Sequence, residues 1–199
     1  MNKKDPLNLV KELLVDKNIQ FYLTNKDDFN RGCLHIVNLI KDSYLLYTND
    51  SFASAVFLSI TIIEEVTKLH IGLYRKKPLE IKAREKKVDG LFNHKKKHIL
   101  ATIETIKMSA KLNVTIGDDI IEKFINQSQN GDLLSLRESA LYCDVVDSKF
   151  TVPLDVIDKS LARIMLLIAI EVWDDTLVGY SKLSLELSEQ TDRIFELLK

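Results

Sequence analysis

The stretch Ala53-Ser54-Ala55-Val56-Phe57-Leu58-Ser59-Ile60-Thr61-Ile62-Ile63-Glu64-Glu65-Val66-Thr67-Lys68 decides the fold. Up to Ile63 it is apolar or small almost all round, which suits a helix only where neighbours cover nearly every side. Ala53, Ala55 and Ser59 let those neighbours come close. The reading is a long central helix, opened by Asn49-Asp50-Ser51 as a cap and reaching about residue 76, with Pro78 helping to end it. Glu64 and Glu65 then pose a problem, because carboxylates at the end of an apolar run cost free energy unless paired. Lys68 lies four residues from Glu64 and three from Glu65, so one pair can close within the helix. The other carboxylate is left for Arg137 or a histidine.

Outward from this helix the chain reads as helical throughout. Asp5-Pro6 opens a helix over 7–17, and a stripe of Cys33, Ile36, Val37, Ile40, Tyr44 and Leu45 marks a second over 27–47. Charged residues 79–90 form a short helix or loop ending at Asp89-Gly90. Further helices are expected over 92–112, from Gly117-Asp118-Asp119 through 124, over 133–146 after a turn at Asn130-Gly131-Asp132, and over 153–180. A last helix begins at Ser181 or Ser184. Val114-Thr115-Ile116 and Phe150-Thr151-Val152 are too short for a sheet. His35, His70 and Trp173 read as core or boundary residues, and Asp174-Asp175 as solvent-facing.

With 199 residues, 46% of them hydrophobic, and no linker-like segment, the chain is read as one all-α domain spanning 1–199. Cys33 and Cys143 lack metal or disulfide spacing, and the longest apolar run, Ile164 to Ile170, falls short of a membrane span. A cytoplasmic protein without membrane contact is expected. The net charge of −1 hides an asymmetry: residues 75–98 hold ten Lys/Arg against three Asp/Glu, and residues 118–199 hold eight against sixteen. The basic segment suits phosphates or an acidic surface, the chain's own acidic half included. A solvated basic turn is the plainer alternative.

Within the basic segment, His94-Lys95-Lys96-Lys97-His98 places two imidazoles four apart on one helix face. The spacing permits a shared metal, but three adjacent lysines oppose a divalent cation and favour a phosphate, so neither metal nor cofactor is expected. RNA cleavage requires a base for the 2′-hydroxyl, a cation for the charge developing on phosphate, and an acid for the leaving oxygen. His94 suits base or acid. Lys97 and Arg137 suit phosphate, with Lys95 and His98 alongside. A purely structural ion network remains the competing reading.

Three clusters together carry a family resemblance: Ala55 to Lys68 with its Glu-Glu-x-x-Lys ending, Phe92-Asn93-His94-Lys95-Lys96-Lys97, and Leu136-Arg137-Glu138-Ser139-Ala140-Leu141-Tyr142-Cys143-Asp144. In order and spacing the chain resembles the AbiV family of bacterial abortive-infection proteins, grouped with the HEPN helical domains, many of which are ribonucleases. The resemblance implies a HEPN-like helical bundle with a long central helix. It also implies a site of His94, Arg137 and Tyr142, supported by a charged network of Glu64, Glu65, Lys68, Glu138 and Asp144. One departure stands out. Many HEPN ribonucleases carry a histidine four to six residues after an arginine; Arg137 is followed at that distance by Tyr142, and no histidine lies beyond His98. Tyrosine, with a pKa near ~10, is a poor base at neutral pH, although its hydroxyl can donate to phosphate.

Two functions follow. One is an antiphage effector that shuts down translation through RNA cleavage or RNA/ribosome binding after activation by a phage component. The other is a non-catalytic helical interaction module whose charged cluster is structural. The resemblance also implies a homodimer joined through helices.

Overall fold

The apolar stretch forms α3, Phe52–Tyr74, in the computed structural model, which describes residues 6–15, 19–77, 89–103 and 110–199. Thirteen of its residues are buried, among them Ala55, Val56, Ile60, Ile62, Ile63 and Val66. It packs between α2, Lys26–Thr48, and α9, Lys159–Leu177, which also touch each other. Small residues set the α2–α3 approach. Ser43 donates to the Ala55 carbonyl at 3.0 Å and meets Ser59 Oγ at 3.1 Å. A Cβ on Gly32 would come within 2.5 Å of Leu69, so a side chain there would push the pair apart.

The remaining helices complete the layers. α10, Lys182–Leu198, lies on α2 and α9, and Trp173 of α9 is fully buried with its indole N–H donating to Thr191 at 3.2 Å. Asn25, Asp158 and Ser181 cap α2, α9 and α10 by accepting from backbone N–H groups of the first turns. On the other flank α4, His94–Ile103, packs on α3, with α6, Asp118–Asn130, and α7, Asp132–Ser139, against α4. α1, Pro6–Leu14, covers α4 and α3, where Leu9, Leu13, Ile71, Leu91 and Ile99 form a second apolar cluster. Among the described residues no helix is long and apolar enough to cross a membrane. The protein is all-α in character: the described residues form ten α-helices, one 3₁₀ turn and one small hairpin.

Several boundaries differ from the reading of the sequence. The helix expected over 92–112 is a 3₁₀ turn, Gly90–Phe92, followed by α4; Asn93 separates them by turning outward and accepting from Lys96 N–H at 3.1 Å. α5, Ala110–Ile116, runs past Asn113, and the chain between α4 and α5 lies outside the described residues, as do Pro78, the segment 79–88 and the end of the helix expected over 7–17. α6 continues beyond Phe124 because Ile125 and Ser128 extend its buried face.

The largest correction concerns 133–146. α7 stops at Ser139, and Asp144–Val146 pairs antiparallel with Lys149–Thr151. Val145-Val146 and Phe150-Thr151 supply β-branched and aromatic side chains. Asp147 and Ser148, both with positive φ (50° and 63°), close a two-residue turn that matches strand twist. The helix expected over 153–180 is also split: α8, Pro153–Val156, is one turn, and extended Ile157 and Asp158 precede α9.

Candidate functional site: a carboxylate surrounded by cations

Glu64 sits near the middle of the bundle with its side chain 5% exposed, and four cationic or basic side chains converge on it. His94 Nδ1 lies 2.7 Å from Oε2, Lys97 donates to the same oxygen at 2.9 Å, and His98 Nε2 lies 2.9 Å from Oε1. Arg137 Nε is 3.9 Å from Oε1. α3 supplies the carboxylate, α4 the two histidines and the lysine, and α7 the arginine.

Local sequence explains the convergence. Asn93 starts α4 at His94, so His94, Lys97 and His98 fall on one face at spacings of three and four. The two intervening lysines point elsewhere. Lys95 donates to the Asn130 carbonyl at the end of α6 at 2.9 Å, and Lys96 reaches Glu12 of α1. The five-residue basic run is thus divided among three helices. Thr67 reinforces the α3–α4 contact by donating to the Lys97 carbonyl at 3.3 Å.

Burial by itself raises the pKa of Glu64. The hydrogen bond from His98, the charge and hydrogen bond of Lys97 and the nearby His94 outweigh burial and hold the carboxyl at about 2. Glu64 is ionised at any physiological pH. Accepting from His94 Nδ1–H leaves the lone pair of the neutral imidazole on Nε2, and this ring is 41% exposed. Arg137, 25% exposed, stacks with its guanidinium 4.8 Å from the Phe57 ring centroid and makes no hydrogen bond to another described residue. Lys97 and Arg137 together exceed the single negative charge of Glu64. The group carries surplus positive charge where His94 and Arg137 meet solvent.

The other expected site residues are distributed differently. Lys97 and His98 are buried, 5% and 0% exposed, and both serve Glu64 from the interior, where a surface phosphate does not reach them. Glu65 points away from the group and pairs with Lys68 at 3.1 Å. Glu138 and Asp144 are exposed; Asp144 accepts from its neighbour Val145 N–H at 2.7 Å instead of joining the network. Tyr142, 62% exposed, lies beyond the end of α7, and its hydroxyl makes no hydrogen bond to the group among the described residues. Because α7 ends at Ser139, Tyr142 and Asp144 lie off the helix that carries Arg137, while Glu138 stays on it and faces solvent. His35 is exposed on α2, while His70 is a boundary residue edge-on to Tyr74 and Tyr180. Asp175 is exposed, and Asp174 is half-buried, its pKa raised by burial and by Asp192.

Two features escaped the sequence. Phe57, the seat of Arg137, lies seven residues before Glu64 and hence on the same face of α3, a spacing that makes it findable. The second is a fully buried Arg75–Asp89 pair, with bonds of 2.7 and 2.9 Å. Asp89 also accepts from Gln20, Phe21 and Leu91 N–H groups, while Arg75 donates to the Leu13 and Phe21 carbonyls. Nothing in the apolar pattern signals this clamp.

No curated protein and no solved structure matches the chain. The AbiV family model of the HEPN group matches residues 34–174. That range covers Glu64, the whole basic run of α4 and Arg137, together with α3 and nearly all of α9, which hold them in place. The match extends over well more than half of the chain and includes every residue that converges on Glu64, and the protein accordingly belongs to the AbiV family, whose membership implies an abortive-infection role against phage.

Proposed function

We propose that this abortive-infection protein stops phage multiplication by cleaving RNA without a metal, with His94 as the proton-transfer group and Arg137 as the phosphate ligand. The observation that carries the reading is the half-exposed His94 anchored through Nδ1 to an ionised Glu64 beside Arg137. His94 Nε2 takes the 2′-hydroxyl proton while O2′ attacks the adjacent phosphorus. Arg137 stabilises the charge that gathers on the phosphoryl oxygens. As the P–O5′ bond breaks, the imidazolium returns its proton to the departing O5′, leaving a 2′,3′-cyclic phosphate and a 5′-hydroxyl. Glu64 holds the imidazole's orientation and stabilises the imidazolium. Translation is the process stopped, and a phage component is the trigger.

One observation favours a second reading, in which RNA is held and not cut. His98 is buried, so His94 is the one imidazole of the group that is open to substrate and must perform both proton transfers.

The experiment is incubation of the protein with total RNA and a chelator, with and without lysate of phage-infected cells, followed by mapping of 3′ ends. New cyclic-phosphate ends that vanish in folded His94→Gln and Arg137→Ala variants support cleavage. Intact RNA alongside arrested translation assigns binding instead.

A further inference from the structure

A cavity of about 440 Å³ opens between α2, α3 and the non-helical segment 19–24. Gly32, Ile36 and Leu69 form its floor, and Phe21, Tyr22 and Leu23 one wall. Three contacts hold that wall: Phe21 N–H donates to Asp89 at 3.3 Å, Leu23 N–H donates to the Gly72 carbonyl at 3.3 Å, and the Lys68 ammonium sits 4.9 Å from the Phe21 ring centroid. The cavity is thus preformed, and its volume lies in the range usual for binding pockets. Its polar lining is uneven. Arg31 and His35, four apart on α2, are exposed and hydrogen-bond to no other described residue. Asp28 is engaged, its carboxylate accepting from the N–H of Thr24 at 2.9 Å and from the Thr24 hydroxyl. On α3, Glu65 is neutralised by Lys68, yet each of its oxygens keeps a lone pair for a further donor.

We infer that this cavity captures the carboxy-terminal residue of a peptide whose last side chain is apolar. Arg31 and His35 supply the donors for a carboxylate, Arg31 in the two-pronged geometry that a guanidinium favours. Glu65 accepts the N–H of the same terminal residue, and Ile36 and Leu69 receive its side chain. Carboxylate, N–H and side chain all leave one Cα, so a single residue meets all three features. Tyr22 N–H, which donates to no described residue, offers a further bond to the chain before it. Other occupants meet fewer of these features. A fatty acid has no N–H for Glu65. RNA brings a phosphate at every step toward Asp28 and Glu65 and has no aliphatic side chain for the floor. A free amino acid carries the same groups but leaves most of the 440 Å³ unfilled. The site stands apart from the Glu64 group, since Glu65 lies about 100° around α3 from Glu64, and it does not depend on RNA being cut.

The test is a titration of the nitrogen-15-labelled full chain with four acetylated tripeptides ending in leucine, isoleucine, valine or phenylalanine. The signals followed are the Gly32 and Leu69 amides and the Arg31 Nε–H. At least one peptide should shift them saturably while leaving the His94 amide in place. Amidating the terminus of that peptide, or substituting Arg31→Gln, should raise its dissociation constant roughly tenfold or more, because each removes a charge-assisted hydrogen bond. Arg31 is exposed, so the variant should keep the native unfolding midpoint, which separates lost binding from lost fold. No saturable shift with any of the four peptides overturns the proposal, as does equal binding of the amidated peptide or by the folded Arg31→Gln variant. Free leucine binding as tightly as the peptides would assign the cavity to an amino acid, and an RNA oligonucleotide shifting these signals where the peptides do not would assign it to nucleic acid; either overturns the proposal too.

Discussion

Asp89 and Glu64 are both buried carboxylates that face cations, and the difference between their surroundings separates a clamp from a site. Asp89 meets one arginine in a two-pronged bond and three backbone N–H groups, and Arg75 spends its donors on Asp89 and two carbonyls. Both side chains are fully buried, and the pair ties α1, residues 20–21, the end of α3 and the 3₁₀ turn together. Each guanidinium nitrogen and each carboxylate oxygen has a partner. Glu64 meets four cationic or basic groups, two of which remain in contact with solvent. Matched charge with every group satisfied fixes structure, whereas surplus charge open to solvent attracts an anion.

The comparison is broken most directly at the clamp. Asp89→Ala leaves the Arg75 guanidinium buried without a counter-charge and should cost about 3–5 kcal/mol in urea unfolding. A loss below 1 kcal/mol would remove the distinction between the two groups.

Acid titration probes Glu64. Its carboxyl lies at about 2 in the folded chain against an ordinary 4.5. A depressed folded pKa means the stabilisation is complete above pH 4.5 and is lost as pH falls through 2; the shift corresponds to about 3 kcal/mol. Between those pH values the unfolding free energy of Glu64→Gln should fall less steeply than that of the native chain by this amount. Parallel slopes would place Glu64 outside the ionised network.

At the open side, His94→Gln should change stability by less than about 1 kcal/mol because the ring is partly solvated, yet lower RNA cleavage by roughly 10²–10⁴-fold. A destabilisation as large as that of Asp89→Ala would make the Glu64 group a second clamp. The smallest effect is expected at Glu65→Ala. Its partly exposed pair with Lys68 should contribute about 0.3–0.5 kcal/mol, measured by the same unfolding assay.

Much of this architecture was legible in the chain. The apolar run to Ile63 required a covered helix, and α3 begins and ends within a few residues of the expected bounds. The need of one carboxylate for distant partners was legible as well, since Lys68 satisfies one of two adjacent glutamates. Glu64 and Glu65 are a hundred degrees apart around α3, so which of them faces inward depends on where α4 packs. Lys97 differs from Lys95 and Lys96 for the same reason. The hairpin escaped because three-residue strands carry too little alternation to outweigh a helical neighbourhood, and its turn relies on Asp147 and Ser148, not on glycine.

The sequence by itself determined an all-helical chain with a buried central helix, a basic run and a carboxylate in need of cations, because hydrophobic period and charge spacing are local properties. Tertiary structure alone decided that Glu64 is the centre, that Lys97 and His98 are interior while His94 and Arg137 meet solvent, and that Tyr142 stands apart. These partners lie 30 to 73 residues from Glu64 along the chain, and their meeting depends on helix rotation and packing, which no local spacing encodes.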